Sequence, residues 1–179
     1  MLTAETISKL NDVYSGIEKK EEKLVRYITD VSKNNVVKEV AGNILKIVQP
    51  LVNTLKNPCI HETNGTCTFV NAPRNETINQ VWHRDTHFKS FIVIVPLVDM
   101  DLKNGCTQII PNSSKLAVKK WKANKKINLC LQVSDIAIFD GRWLHRGLAN
   151  KSDKDRPILI LTITSENSKF YQNSQYITY

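Results

Sequence analysis

The chain has 179 residues, of which 41% are hydrophobic, a composition typical of one globular domain that buries a core without disulfides. No apolar run approaches the length of a membrane-spanning helix, so a membrane protein of that kind is excluded. The formal net charge of +8 permits an acidic partner, but the lysines are dispersed, and the densest basic cluster, residues 115–126, contains one aromatic residue, Trp121. A solvated basic surface is therefore expected, and a nucleic-acid partner is not favoured.

The cysteines indicate a reducing environment. The N-terminal apolar residues are interrupted by charged ones and form no signal peptide, so we expect a cytoplasmic protein with free thiols. A zinc site at Cys59, His61 and Cys67 is not favoured, because no good fourth ligand follows them. The four cysteines, none in a CxxC pair, are Cys59, Cys67, Cys106 and Cys130.

Apolar residues at three- and four-residue steps predict helices in the first part of the chain. One helix should begin near Leu2 and continue, past the charged residues 18–23, as far as Val31. A second helix is expected over Val36–Val48, and Pro50 should end or kink it.

From residue 58 onward the apolar runs are short, β-branched and separated by turn residues, which is typical of a β-sandwich or barrel. We therefore predict a mainly β protein of the α+β class, with one domain over residues 1–179. A helical part (1–57) should pack on one sheet of the β core (58–179). The candidate strands are Thr66–Val70, Phe91–Val95, Thr107–Ile110, Asn128–Val133, Ile136–Phe139 and Ile158–Thr164.

His83 and Asp85 are two residues apart, so on an extended strand both side chains point the same way and can bind one metal ion. A third ligand must come from elsewhere, and His145 follows the predicted strand Ile136–Phe139. Two histidines and one carboxylate on one face of an octahedron are the ligand set of non-haem iron(II) oxygenases. The His-x-Asp triplet of residues 83–85 is by itself common by chance. The alternative is a surface histidine beside an aspartate that caps a turn.

Three segments extend this pattern: Gln80–Asp85 (QVWHRD), Asn104–Lys115 (NGCTQIIPNSSK) and Asp135–Asn150 (DIAIFDGRWLHRGLAN), the last followed by Arg156 and Pro157. In order, spacing and flanking strands they resemble the phytanoyl-CoA dioxygenase-like family of iron(II)- and 2-oxoglutarate-dependent oxygenases, over about residues 66–164. The resemblance implies a double-stranded β-helix, a cupin-like jelly-roll with helices packed on one sheet.

The resemblance also implies cofactors and a reaction. Iron(II) would be held by His83, Asp85 and His145, and 2-oxoglutarate and dioxygen would be cosubstrates. An unidentified substrate would be hydroxylated with release of succinate and carbon dioxide. Halogenating relatives lack the carboxylate, so Asp85 favours hydroxylation. Arg156 matches the family's arginine for the distal cosubstrate carboxylate, which a planar guanidinium binds through two hydrogen bonds.

Two positions depart from the family pattern. The Pro-Gly-Ser-His turn of the family has Asn112 in place of glycine, and asparagine also adopts left-handed turn conformations. Some relatives carry a hydroxyl residue two positions after the distal histidine, where this chain has Gly147. Arg156 would then lack a second cosubstrate-binding group, and either Gln80 or a polar residue of the strand Thr66–Asn71 is a candidate to replace it.

Trp82, His87 and Trp143 flank the predicted ligands and are candidate substrate-binding residues. Trp82 alternates away from His83, so a core position is its alternative. His87 follows the two-residue period of the metal side, with an exposed loop as its alternative. The substrate is expected to be a small molecule, and the basic composition permits an acidic one.

Two other functions stay open from the sequence. A cupin-like jelly-roll that binds a metal or ligand without oxidative chemistry would account for Gly147 and for the short chain. A basic nucleic-acid-binding module would account for the charge, but the chain has no recognised nucleic-acid-binding motif.

Overall fold

Two helices and ten strands form within residues 2–17, 22–23, 26–62, 65–115 and 125–168, the residues that the computed structural model describes. The helices are α1 (Ala4–Ser15) and α2 (Asn35–Val48). The strands are β1 (Glu22–Lys23), β2 (Arg26–Asp30), β3 (Pro58–Cys59), β4 (Cys67–Ala72), β5 (Phe91–Pro96), β6 (Thr107–Ile110), β7 (Ile127–Leu129), β8 (Ala137–Asp140), β9 (Leu144–Gly147) and β10 (Arg156–Ser165).

Side-chain caps begin both helices. The Thr3 hydroxyl accepts a hydrogen bond from the backbone N–H of Thr6 at the start of α1, and Asn34 caps α2 in the same way. α2 ends at Val48, just before Pro50, so the predicted second helix is confirmed. Within the described residues, neither helix is long and apolar enough to cross a bilayer.

The prediction that the first helix continues to Val31 is wrong. α1 ends at Ser15, and β2 pairs antiparallel with β4, with Ile28 opposite Val70. Arg26 and Ile28 of β2 both line the interior cavity, as alternation along a strand requires. The apolar spacing of this segment fits a helix locally, but pairing with a neighbouring strand decides its conformation.

The strands form two antiparallel sheets that face each other. The larger sheet has the order β1-β2-β4-β10-β5-β8, with β3 also paired to β10, and the smaller has the order β7-β6-β9. This is the predicted jelly-roll arrangement. β9 was not among the predicted strands. β7 ends at Leu129, short of the predicted Val133, whose backbone N–H bonds to the side chain of Asp99 instead.

Alternation along the central strands divides the apolar core into two layers. Val93, Val95 and Leu159, on the outer face of the larger sheet, belong to the same core cluster as the buried residues of α1 and α2. Ile92 and Ile94 point to the inner face and pack with residues of the smaller sheet. Each such side chain contributes roughly 1.5–3 kcal/mol on full burial. The outer layer thus packs the helices against the larger sheet, and the inner layer surrounds the cavity between the sheets.

Candidate metal and cosubstrate site

Two histidines lie side by side because a backbone bridge joins their chain segments. The N–H of His83 donates to the carbonyl of His145, and the N–H of His145 donates to the carbonyl of His83, both at 3.0 Å. His145 belongs to β9, so the segment with His83 adds one residue pair to the smaller sheet. The two imidazole centroids are 4.3 Å apart, and both side chains are buried.

Asp85 completes a three-residue cluster with these histidines. Its Oδ1 lies 3.8 Å from His83 Nε2, and its Oδ2 lies 3.3 Å from His145 Nε2. Ligands at about 2.1 Å from one ion lie roughly 3 to 4 Å from one another, so these separations fit a single divalent metal ion. The carbonyl of Gly141 positions Asp85, because it accepts hydrogen bonds from the N–H groups of Asp85 and Thr86 at 3.1 and 3.3 Å.

Backbone carbonyls determine which nitrogen of each imidazole faces the cluster. His83 Nδ1 is 2.9 Å from the carbonyl oxygen of Val81, and His145 Nδ1 is 3.0 Å from that of Trp143. A carbonyl can only accept, so each Nδ1 carries a proton, and the neutral ring keeps its Nε2 lone pair for the cluster. This is the tautomer that metal-binding histidines adopt.

The three side chains influence one another's protonation. Burial, together with the nearby His145, lowers the pKa of His83 to about 4. Burial disfavours the charged form of His145, but the carboxylate of Asp85 outweighs this and raises the pKa of His145. Burial also disfavours charge on Asp85, yet His145 keeps the pKa of Asp85 below its ordinary value. A metal ion that binds here would therefore compete with a proton for His145 Nε2 beside the Asp85 carboxylate.

Two buried guanidinium groups lie in the same cavity. Arg156 pairs with Ala72 of β4, and the Tyr27–Asn71 pair brings Arg26 to the other side of Ala72. Among the described residues, Nε and Nη1 of Arg156 have no hydrogen-bond partner. Burial, followed by the charge of Arg26, lowers the pKa of Arg156 to about 9. Because a buried cation without a partner is costly, this arrangement indicates an anionic ligand.

Gly147 has no side chain, and the side chains of Gln80 and Arg26 occupy the space where its Cβ would lie. The side-chain oxygen of Gln80 accepts a hydrogen bond from the N–H of Gly147 at 2.8 Å, and Arg26 Nη2 donates to the carbonyl of Leu148 at 2.7 Å. A Cβ at position 147 would lie 2.6 Å from the Gln80 oxygen and 2.8 Å from Arg26 Nη2, closer than real Cβ atoms come. A guanidinium and a carboxamide thus surround the position where some relatives have a hydroxyl residue.

A model of the family described as phytanoyl-CoA dioxygenase (PhyH) matches residues 4–158. The chain belongs to the phytanoyl-CoA dioxygenase family. The predicted resemblance is confirmed, and the match reaches from α1 into β10. No curated protein matches the sequence.

Solved structures share the fold at low identity. The α-ketoglutarate-dependent epimerase SnoN from nogalamycin biosynthesis has a TM-score of 0.76 at 15% identity, over 92% of this chain and 74% of SnoN. The carbocyclase SnoK, also from nogalamycin biosynthesis, has a TM-score of 0.76 at 12% identity, over 92% of this chain and 77% of SnoK. EctD from S. alaskensis, solved with 2-oxoglutarate and 5-hydroxyectoine, has a TM-score of 0.73 at 12% identity, over 92% of this chain and 70% of EctD.

The cavity fits the cofactors of this family, whose members are iron- and 2-oxoglutarate-dependent oxygenases. The histidine and carboxylate cluster offers three side chains of the kind that could hold an iron ion. Arg156, which has two unpartnered nitrogens, suits the distal carboxylate of 2-oxoglutarate. A SnoN structure contains Fe3+ and α-ketoglutarate, so a relative of this fold holds both groups.

Apolar side chains of the larger sheet form the wall of the cavity, and Phe139 of β8 adds an aromatic ring. The ring of Phe139 contacts the imidazole of His145 edge-on, with centroids 5.1 Å apart. An apolar wall strengthens electrostatic interactions with a bound ligand, because it excludes the high dielectric of water. The lining residues of this wall are Ile28, Val70, Ile92, Ile94, Ile158 and Ile160.

Trp82 lies outside this cavity. It is 6% exposed and packs with Ile110 and Leu144, while the guanidinium carbon of Arg146 lies 4.6 Å from its ring centroid. Alternation from His83 turns it to the opposite side, the core position that the sequence left open. Its substrate-binding role stays a prediction that this location does not favour.

His87 is exposed, and it does not line the cavity. The two-residue period that placed it on the metal side ends after Asp85, where the chain turns toward Gly141. Trp143 is half-buried, and it packs against the inner apolar layer, two residues before His145. Of the three predicted substrate-binding residues, Trp143 is therefore the one that packs against the apolar layer around the cavity.

The turn after β6 accommodates the loss of the family's glycine. Asn112 adopts a positive φ of 59°, the left-handed conformation expected of it. The next residue, Ser113, accepts a hydrogen bond from the N–H of Leu144 at 2.6 Å, and Arg84 donates to the Ser113 carbonyl at 2.8 Å. The turn is thereby tied to both segments that carry the histidines.

Two further predictions concern other sites. Among the described residues, the group of metal-ligand side chains is His83, Asp85 and His145, and no zinc cluster forms around Cys59. Of the basic cluster, residues 116–124 lie outside the described part of the chain, and Lys125 and Lys126 are exposed.

Arg26 and Phe139 line the cavity, but neither was among the predicted site residues. Arg26 belongs to a segment predicted as helix, and the only signal for its position was the two-residue alternation of Arg26 and Ile28. Phe139 was expected at the end of a strand, but its contact with His145 depends on how β8 and β9 come together.

Proposed function

We propose that the protein is an iron(II)- and 2-oxoglutarate-dependent hydroxylase. His83, Asp85 and His145 hold the metal, and Arg156, assisted by Arg26, holds the distal carboxylate of the cosubstrate. The observation that carries this proposal is the presence, in one apolar cavity, of a three-ligand cluster and a buried arginine with unpartnered nitrogens.

At the metal end, the chain prepares its ligands before a metal binds. The carbonyls of Val81 and Trp143 hold the imidazoles in the tautomer that presents Nε2. Three protein ligands would leave positions on a bound metal ion open for the cosubstrate and dioxygen. The presence of the Asp85 carboxylate supports oxygen insertion over halogenation, since halogenation requires a free position in its place.

At the carboxylate end, Arg156 supplies a planar guanidinium that matches a carboxylate with two parallel hydrogen bonds. Arg26 adds a second positive charge, and Gln80 offers its amide nitrogen, because its oxygen already accepts from Gly147. The distal carboxylate of 2-oxoglutarate thus compensates the buried charge of Arg156.

When bound, iron, 2-oxoglutarate and dioxygen supply the oxidising chemistry, with succinate and carbon dioxide as products. The chain's residues hold these groups and position a small-molecule substrate, for which Trp143 is the aromatic candidate. The apolar wall of the cavity excludes water. Hydroxylation is the finer part of the proposal, because the names of SnoN and SnoK describe epimerase and carbocyclase reactions. The free cysteines support a cytoplasmic setting.

Anaerobic titration of the protein with iron(II) and 2-oxoglutarate tests the cofactor assignment. We expect a weak visible charge-transfer band that needs both reagents and is absent in His145→Ala. His87→Ala, which removes an exposed histidine of the same segment, is the matched control and should keep the band. Absence of the band in the wild-type protein would refute the assignment. Binding of both reagents without any succinate in air would favour the silent cupin-like alternative.

Isotopic oxygen tests the reaction type. Candidate small molecules are screened for stimulation of succinate formation, and products formed under 18O2 are analysed by mass spectrometry. We expect one labelled oxygen atom in the product. A product without added oxygen would show epimerisation or ring closure and would contradict hydroxylation.

A further inference from the structure

Cys106 directly precedes β6, and Cys130 directly follows β7, the strand paired with β6. The last pair of the β6–β7 ladder is Thr107 and Leu129, so the same register continued by one residue places Cys106 opposite Cys130. Their Sγ atoms are 3.5 Å apart. Directly opposite residues have Cβ atoms about 4.5–5.5 Å apart, near the separation of about 3.5–4.5 Å that a disulfide needs. Side-chain rotation, together with a small approach of the two backbones, therefore brings the sulfurs into bonding distance.

The two thiols differ in access to solvent. Cys130 is exposed, and Cys106 is fully buried. Among the described residues, Cys59 and Cys67 have no comparable sulfur contact, and the sulfur of Cys59 lies 3.4 Å from His61 Nε2. An oxidant thus reaches Cys130 first, and Cys106 is the thiol already in contact with it.

We propose that Cys106 and Cys130 form a reversible redox modification site that low-molecular-weight disulfides oxidise to an intramolecular disulfide. The Cys130 thiolate attacks one sulfur of the small disulfide, which forms a mixed disulfide and releases the first small thiolate. The Cys106 thiolate then attacks Cys130 Sγ, which forms the Cys106–Cys130 bond and releases the second. The two protein protons pass to the two small thiolates, so the reagent is reduced to two thiols while the protein loses two.

The order of these steps follows from the surroundings of Cys106. Burial, with the hydrogen bond and charge of Cys130, raises the pKa of Cys106 to about 12, so Cys106 does not start the reaction. The contributions of the Cys130 hydrogen bond and charge end once Cys130 is in a mixed disulfide. Contact between the two sulfurs then gives Cys106 a high effective concentration toward its partner.

Hydrogen bonds connect this pair to the carboxylate end of the cavity. The carbonyl of Cys106 accepts from the N–H of Leu148 at 3.0 Å, and the carbonyl of Leu148 accepts from Arg26 Nη2 at 2.7 Å. The next residue, Thr107, lines the cavity itself. A shift of Cys106 on disulfide formation therefore reaches Arg26. Weaker binding of 2-oxoglutarate by the oxidised protein follows, a consequence that rests on the proposed function.

Disulfide mapping tests the modification without any enzyme assay. The full-length protein is incubated with glutathione disulfide, its remaining thiols are blocked with N-ethylmaleimide, and a non-reducing digest is analysed by mass spectrometry. We expect a linked Cys106–Cys130 peptide that dithiothreitol abolishes. The link should persist in Cys59→Ser and be absent in Cys130→Ser, which changes an exposed side chain. A stable glutathione adduct on Cys130 alone, or a link to Cys59, would overturn the proposal.

Calorimetric titration with 2-oxoglutarate, under anaerobic conditions with iron(II), tests the connection to the cavity. We expect about tenfold weaker binding in the oxidised wild-type protein, the effect of losing one hydrogen bond to a charged group. Cys130→Ser should be unaffected by the same oxidant. Equal affinities of oxidised and reduced wild-type protein would refute the connection to Arg26. Failure of the reduced protein to bind 2-oxoglutarate would instead contradict the proposed function, while the mapped disulfide would stand.

Discussion

The two ends of the cavity are assembled in different ways. The metal end combines two residues of one short segment with one histidine directly across a backbone bridge. The carboxylate end combines side chains from β2, β10 and the segment before His83, around a glycine of β9. The comparison teaches that a local motif supplies two of the three side chains of the metal end and one strand bridge adds the third, whereas a buried cationic site for a carboxylate needs several distant strands.

Removal of a metal ligand should have the largest effect. We expect Asp85→Ala to lower coupled succinate formation by more than about 100-fold, because even outer partners of metal ligands cost about 10- to 100-fold. Iron binding, followed by calorimetry, should fall in parallel. Asp153→Ala, an exposed aspartate, is the matched control. Near-normal iron binding by Asp85→Ala would contradict its role as a ligand.

Substitution at the carboxylate end should separate cosubstrate binding from metal binding. We expect Arg156→Met to raise the KM for 2-oxoglutarate by about 100-fold, the loss of a charge-assisted pair of hydrogen bonds, with unchanged iron affinity. Steady-state kinetics and iron titration measure the two effects, and Arg74→Met, at an exposed arginine, serves as control.

The same variant distinguishes a ligand-binding arginine from a structural one. Because Arg156 is buried without partners for two of its nitrogens, Arg156→Met should keep or raise the free energy of unfolding of the ligand-free protein. Denaturant unfolding measures this quantity. A loss of several kcal/mol would indicate that Arg156 stabilises the fold and would weaken its assignment to the cosubstrate.

A smaller effect is expected where this chain departs from relatives with a hydroxyl residue. Gly147→Ser should raise the KM for 2-oxoglutarate by about tenfold, since the new Cβ would displace Arg26 and Gln80, each of which contributes about one hydrogen bond. Gly42→Ser is the matched control, because nothing lies within 4 Å of a Cβ there. Tighter cosubstrate binding by Gly147→Ser would show that the hydroxyl is the better partner and that Arg26 is dispensable.

Acidification should affect the metal end without any substitution. Metal binding displaces the proton of His145, whose pKa is raised above its ordinary value by Asp85. Apparent iron affinity should therefore be constant above that raised pKa and fall by up to about tenfold per pH unit below it. Calorimetry in a series of buffers measures the affinity and the proton release together. Affinity independent of pH between 8 and about 5 would contradict competition between a proton and the metal ion at His145.

Local pattern alone predicted a good part of the fold. α2, β5 and β6 were expected almost where they lie, because capping residues, prolines and β-branched runs act within a few residues. β2 and β9 were not expected, since each is short and depends on pairing with strands far along the chain. The predicted position of His87 assumed a two-residue strand period. That period ends after Asp85, where the chain turns toward Gly141.

The sequence by itself determined the ligand types of the metal end and their spacing, because residues two apart on an extended segment share a side whatever the rest of the fold does. It also determined that Asn112 can replace a turn glycine, a property of the residue itself. Tertiary structure decided that Arg26 stands beside Arg156 and that Gly147 faces both Arg26 and Gln80. The physical reason is that strand pairing, which here joins residues 44 (Tyr27 and Asn71) and 84 (Arg156 and Ala72) positions apart, is selected by the packing of the whole sheet.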